Sequence, residues 1–210
     1  MATICPTVTA TNVEDYRTQI ERLQSIGVKR VHLDFMDGQL TPAKSPALQD
    51  AWVPDGMRVD LHLMYKNPTR HMRAIVKLKP YLVIVHAESN GDFVTFAKIL
   101  HKLGIKVGVA LLPETSANAI EPALEHIDHV MIFSGKLGHF GGHADLDLLI
   151  KAQAVKHLKH ELEIGWDGGI SDSNVHLLAA GGVDILNVGG FIQKASNPAD
   201  AYATLKSKLR

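Results

Sequence analysis

Tyr81-Leu82-Val83-Ile84-Val85-His86 carries four consecutive apolar side chains. A strand with one wet face alternates apolar and polar residues, so this run reads as a parallel strand covered on both faces. Just beyond it Phe93, Phe96, Leu100 and Leu103 recur at helical spacing. A doubly buried strand followed by an amphipathic helix is a βα unit, and the same alternation extends in both directions. β-rich runs fall at 3–8, 30–35, 58–64, 81–86, 106–112, 129–133, 161–166 and 184–188. The segment 13–26 shows the helical period again in Tyr16, Ile20, Leu23 and Ile26. Asn12 and Ser173 are predicted N-caps, and Asn67-Pro68 and Asn197-Pro198 predicted helix starts. Gly27, Gly104 and Gly181 are predicted left-handed helix ends. Eight such units, at a spacing of roughly 26 residues and without a Gly/Ser/Pro-rich linker, predict one (β/α)8 barrel domain over 1–210. A doubly wound open sheet is the alternative.

Composition narrows the function classes. Lys and Arg total 22 against 22 Asp and Glu, the 12 histidines are mostly scattered, and no basic cluster stands out, so no nucleic-acid partner is expected. No apolar stretch approaches the roughly 18–20 residues of a membrane span. Cys5 is the single cysteine, which excludes an intrachain disulfide, and its early position in the first strand suggests a buried, inert thiol. The N-terminal residues lack the pattern of a secretory signal, so a cytoplasmic location is expected.

In a βα barrel the chemistry collects at the C-terminal ends of the strands. Strand two ends His32-Leu33-Asp34-Phe35-Met36-Asp37-Gly38, and strand three contains Asp60-Leu61-His62-Leu63-Met64. Strand four ends His86-Ala87-Glu88, and strand seven ends Trp166-Asp167-Gly168-Gly169. A period of two puts His32 and Asp34 on one face, with Leu33 and Phe35 on the other. With His62 and Asp167 converging on the same mouth, two imidazoles and two carboxylates suit one divalent metal ion of the Zn, Fe, Mn or Co type. A hydrogen-bonded polar network without metal is the competing reading. Glycines in the last three loops, Gly141 and Gly142, Gly168 and Gly169, and Gly189 and Gly190, suit close approach of a phosphate to bare backbone. Each pair alone also reads as a plain turn. His139 and His143 are poorly spaced for a metal, and His101, His157, His160 and His176 read as surface residues of helical segments.

These motifs, together with Pro42 after the second-strand segment, Leu112-Pro113-Glu114-Thr115 and Phe140-Gly141-Gly142, resemble those of the ribulose-phosphate 3-epimerases over almost the whole chain. The resemblance implies a metal-dependent isomerase that inverts C3 of a ketose phosphate, D-ribulose 5-phosphate to D-xylulose 5-phosphate. In it His32, Asp34, His62 and Asp167 would hold the metal, Asp34 and Asp167 would be the acid/base pair, and Met36 and Met64 would line the intermediate. It also implies carbohydrate metabolism of the pentose phosphate type and a phosphorylated sugar as partner. Coverage of exposed apolar helix faces leads us to expect a homo-oligomer. The chain departs from the family pattern at Ala10, Ala43, Phe133, His143 and Gly190. These departures keep two alternatives open, an epimerase of a six-carbon ketose phosphate such as allulose 6-phosphate, and a non-catalytic sugar-phosphate-binding paralogue. A lyase or decarboxylase on a related barrel would need an Asp-x-Lys-x-x-Asp array, and no lysine follows Asp34 at that spacing.

Overall fold

The computed structural model describes residues 2–138 and 142–209. Eight parallel strands follow one another in chain order around a closed barrel: β1 (Thr3–Thr9), β2 (Arg30–Met36), β3 (Arg58–Met64), β4 (Leu82–His86), β5 (Lys106–Leu111), β6 (His129–Phe133), β7 (Glu163–Asp167) and β8 (Ile185–Val188). The first strand pairs with the last, Thr3 beside Ile185, which excludes the open-sheet alternative. The helices are α1 (Val13–Ser25), α2 (Met72–Leu78), α3 (Phe93–Lys102), α4 (Leu149–Leu158), α5 (Val175–Ala180), α6 (Gly190–Gln193) and α7 (Pro198–Ser207). This is a single-domain (β/α)8 barrel.

The expected alternation fails in two crossovers. Between β2 and β3 there is only a 3-10 turn, Leu48–Asp50, and between β5 and β6 a 3-10 segment, Ala117–His126. Pro42, Pro46 and Pro54 punctuate the first connection and Pro122 sits inside the second, where each removes an N–H and clashes with an α-helical turn. Asn12 and Asn197 cap their helices as expected. Ser173 does not: its hydroxyl pairs with that of Ser171 at 2.7 Å, and α5 begins after Asn174. Gly181 is not left-handed. Gly182 takes that role with φ 94°, while Gly181 gives room to α4, since a Cβ there would stand 2.7 Å from Leu149. Strand β7 runs one residue past its predicted end and takes in Asp167, and His160 lies in a turn just beyond α4.

Parity along β4 explains its continuous apolar run. Val83 and Val85 belong to the layer beneath the helices, with Phe96 and Leu100 of α3. Leu82 and Ile84 point the other way and fill the barrel interior with Ala110, Met131 and Phe133. A polar network also lies inside the barrel. Arg30 Nε donates to Asp60 Oδ2 at 2.7 Å, both terminal nitrogens of Arg30 reach Glu163, and His129 Nδ1 lies 2.9 Å from Glu163 Oε2. Gly165 is small because His129 fills its space: a Cβ would stand 2.5 Å from His129 Nε2. Cys5 is fully buried beside Asp60, as expected of an inert thiol. Among the described residues no helix is long and apolar enough to cross a membrane.

Candidate metal and acid-base site

At the C-terminal end of the barrel, pairing register carries the period of two from strand to strand. Thr9 of β1 sits opposite Asp34 of β2, and Asp34 sits opposite His62 of β3. His32, Asp34 and His62 therefore face inward. The alternate residues face the helices, where Phe35 packs on Tyr16 with ring centroids 5.9 Å apart. Asp167 arrives on β7 from across the barrel. One ligand atom from each of His32, Asp34, His62 and Asp167 lies within 4.8 Å of all the others. His62 Nδ1 is 2.8 Å from Asp34 Oδ1, and His32 Nε2 is 3.2 Å from Asp34 Oδ1 and 4.0 Å from Asp167 Oδ2. The Thr9 hydroxyl donates to Asp34 Oδ2 at 2.6 Å.

The charges in this cluster are held far from their ordinary behaviour. Burial alone would raise the Asp34 carboxyl, but the adjacent His32 and His62 imidazoles outweigh it and hold Asp34 well below the usual carboxylate range. Asp167 stands farther from the imidazoles, 4.0 Å from His32 Nε2. Burial and the Asp34 charge push it up to about 7, against the opposing pull of His32. His62 is depressed to about 4 because burial, with smaller help from His86 and His32, outweighs the attraction of Asp34. His32 goes the other way, because Asp34 and Asp167 overcome its burial.

The residues fit a divalent cation. His32 is fully buried, yet neither ring nitrogen has a hydrogen-bond partner, a costly arrangement unless something else uses a lone pair. Two nitrogen and two oxygen donors of this kind match the borderline metals expected from the sequence.

Asp34 and Asp167 of the cluster line a cavity of about 520 Å³ together with Thr7, Met64, Phe133 and Asn187. Met36 and Met64 are opposite one another in register and both buried, but of the two only Met64 lines the cavity. Gly142, Gly168, Gly169, Gly189 and Gly190 all reach the wall. Gly141, with His139 and Phe140, lies outside the described residues.

The glycines divide by cause. Gly168 has φ 112°, and a Cβ there would fall 1.6 Å from the carbonyl oxygen of Ser134; one on Gly169 would fall 2.1 Å from the backbone nitrogen of Ala144. Backbone packing requires both. Gly190 has nothing within 4 Å of a built Cβ and Gly189 only Thr7 at 3.7 Å, so neither is needed to avoid a clash and both leave bare backbone at the cavity.

Several lining residues escaped the sequence reading. Lys136 and Lys194 bring positive charge to the glycine-lined wall, and Ser134, Thr7, Thr9 and Asn187 add polar groups. Inward parity of Thr7 and Thr9 on β1 was an available signal; the two loop lysines had none. Of the departures from the family pattern, Phe133, His143 and Gly190 line the cavity, whereas Ala10 and Ala43 do not.

The family model described as ribulose-phosphate 3 epimerase matches residues 3–193. The chain is 30% identical to a ribulose-phosphate 3-epimerase of Mycobacterium bovis over 86% of this chain and 82% of that protein. It is 26% identical to the one of Bacillus subtilis over 98% and 99%. Among solved structures, 3-hexulose-6-phosphate synthase from Salmonella typhimurium superposes with a TM-score of 0.71 at 17% identity, covering 98% of this chain and 97% of that one. KGPDC from Streptococcus mutans gives 0.71 at 14%, with 99% and 97% covered. At such identities the structural likeness is one of fold.

Proposed function

The chain belongs to the ribulose-phosphate 3-epimerase family, enzymes of the isomerase class, and from that premise we propose that it inverts C3 of a ketose phosphate, D-ribulose 5-phosphate to D-xylulose 5-phosphate, with one divalent metal ion. The observation that carries this reading is the convergence of two carboxylates from β2 and β7 with two histidines within 4.8 Å, both carboxylates lining the cavity. His32, Asp34, His62 and Asp167 would hold the ion. A divalent ion, when bound, supplies Lewis-acid stabilisation of the negative charge that develops on a carbonyl oxygen as the neighbouring carbon loses its proton.

The chain's own residues do the rest. Asp34 and Asp167 come from strands on different sides of the barrel, so one takes the C3 proton and the other returns a proton to the opposite face. Asp34 is oriented for this by the Thr9 hydroxyl on Oδ2, while its Oδ1 stands 2.8 Å from His62 Nδ1. Met64 and Phe133 supply an apolar wall that excludes water. Gly189, Gly190, Lys136 and Lys194 offer bare backbone and positive charge for the phosphate.

The test is interconversion of the two pentulose phosphates in a coupled assay, with added zinc, iron(II), manganese or cobalt, together with uptake of solvent deuterium at C3. Turnover with deuterium at C3 supports the reading; binding without any exchange overturns it in favour of a sugar-phosphate-binding paralogue. The open space at Gly190 favours one second reading, a six-carbon ketose phosphate such as allulose 6-phosphate, which the same exchange experiment distinguishes by substrate.

A further inference from the structure

The His86-Ala87-Glu88 motif at the end of β4 has no part in the four-residue cluster, yet it touches it. His62 Nε2 lies 2.8 Å from His86 Nε2, on the side of the ring away from Asp34. His86 is 2% exposed, stacks obliquely on His62 with centroids 5.0 Å apart, and meets Phe133 edge-on at 6.3 Å. Its other nitrogen, Nδ1, is 3.4 Å from Glu88 Oε2, and both of these buried atoms lack any hydrogen-bond partner. Glu88 Oε1 accepts from the Thr115 hydroxyl. The Thr115 backbone is in turn fixed by Lys151 of α4, whose ammonium donates to the carbonyls of Leu112, Pro113 and Thr115 at 2.7 Å each.

We propose that His86, Glu88 and Thr115 form a positioning chain that sets the tautomer of His62 and leaves its Nδ1 lone pair for a divalent cation shared with Asp34. The inference rests on the metal reading above and extends it to residues outside the ligand set.

A carboxylate only accepts, so Glu88 Oε2 favours a proton, not a lone pair, on His86 Nδ1. An imidazole protonated at Nδ1 alone offers its lone pair at Nε2. Two imidazole nitrogens 2.8 Å apart need one proton between them, so His62 must donate from Nε2. His62 is left with a lone pair on Nδ1, facing Asp34 Oδ1 at 2.8 Å. Two acceptors at that distance repel unless a cation lies between their lone pairs, so the tautomer imposed by Glu88 and His86 is the one that suits a metal. Partners of this kind on the distal nitrogen of a ligating histidine orient the ring and raise its basicity.

The experiment uses zinc(II). In the zinc-loaded wild-type protein, long-range proton–nitrogen NMR of the imidazoles is expected to show His62 protonated at Nε2 and His86 protonated at Nδ1. A proton on His62 Nδ1, or on His86 Nε2 alone, overturns the inference without any variant. In competition against a chromophoric chelator, His86→Leu is expected to bind zinc about ten- to hundredfold more weakly. His86→Gln, whose amide oxygen can accept from His62 Nε2–H, is expected to recover most of that loss. Unchanged affinity in His86→Leu overturns this inference alone, as does equal weakness of both variants. Failure of the wild type to bind zinc overturns the metal reading together with it.

Discussion

His62 Nδ1 and Asp34 Oδ1 stand 2.8 Å apart because β2 and β3 place the two residues directly opposite one another in register. On its other oxygen Asp34 is held by the Thr9 hydroxyl, which donates to Oδ2 at 2.6 Å. Asp167 meets no such partners and is pushed up to about 7 by burial and by the Asp34 charge. Two carboxylates in unlike environments are what a two-proton inversion needs.

Replacing either carboxylate by its amide removes a proton carrier and a ligand charge at once. Asp34→Asn and Asp167→Asn are each expected to lower epimerase turnover by at least about 10²- to 10⁴-fold in the coupled assay. Activity near that of the wild type in either variant would sink the two-carboxylate mechanism.

Metal removal should register in stability as well as in activity, because an ion that binds only the folded chain stabilises it by mass action. Zinc(II) at about a hundredfold over its dissociation constant is expected to add about 2.7 kcal/mol to the metal-free protein. The corresponding rise in Tm should vanish in His62→Ala. An equal rise in that variant would show the ion to be binding elsewhere.

Acid stability should depend on the deep network at the other end of the barrel. Burial would raise the Glu163 carboxyl, but bonds from His129 and Arg30 outweigh it and hold Glu163 well below the usual range. Its folded-state pKa is thus below the unfolded one. The stabilisation is complete above the unfolded value and is lost as pH falls through the folded value, so the Tm should decline below about pH 5. Glu163→Gln is expected to be less stable at pH 7 and to show a flatter acid limb in thermal denaturation at a series of pH values. Parallel limbs for variant and wild type would remove Glu163 from the account.

The division among the glycines makes opposite predictions at two sites on one cavity wall. Gly168→Ala forces a Cβ against the Ser134 carbonyl from a left-handed backbone and is expected to cost more than about 3 kcal/mol in urea unfolding. Gly190→Ser meets open space and is expected to stay within about 0.5 kcal/mol of the wild type. Equal costs would mean that Gly190 too is required by the fold.

The sequence reading succeeded where one strand or helix carries its own evidence. The doubly apolar run of β4, the inward parity of His32 and Asp34, and the cap at Asn12 are local consequences of backbone geometry. It failed where a local preference had to compete with packing. Prolines replaced the α-helix in two crossovers, Gly181 serves Leu149 instead of a left-handed turn, and Gly168 answers to a carbonyl on the neighbouring loop.

By itself, then, the sequence determined the alternation of strands and helices, the two faces of the strands and the shared inward side of His32 and Asp34, because side-chain direction in a strand alternates with a period of two. Only the closed barrel decided which atoms meet. Strand register set the 2.8 Å contacts from Asp34 to His62 and from His62 to His86, and closure brought Asp167 and the loop lysines Lys136 and Lys194 to the same cavity as Thr9. Those distances depend on how strands remote in sequence are staggered against each other, and periodicity within any one strand does not encode that stagger.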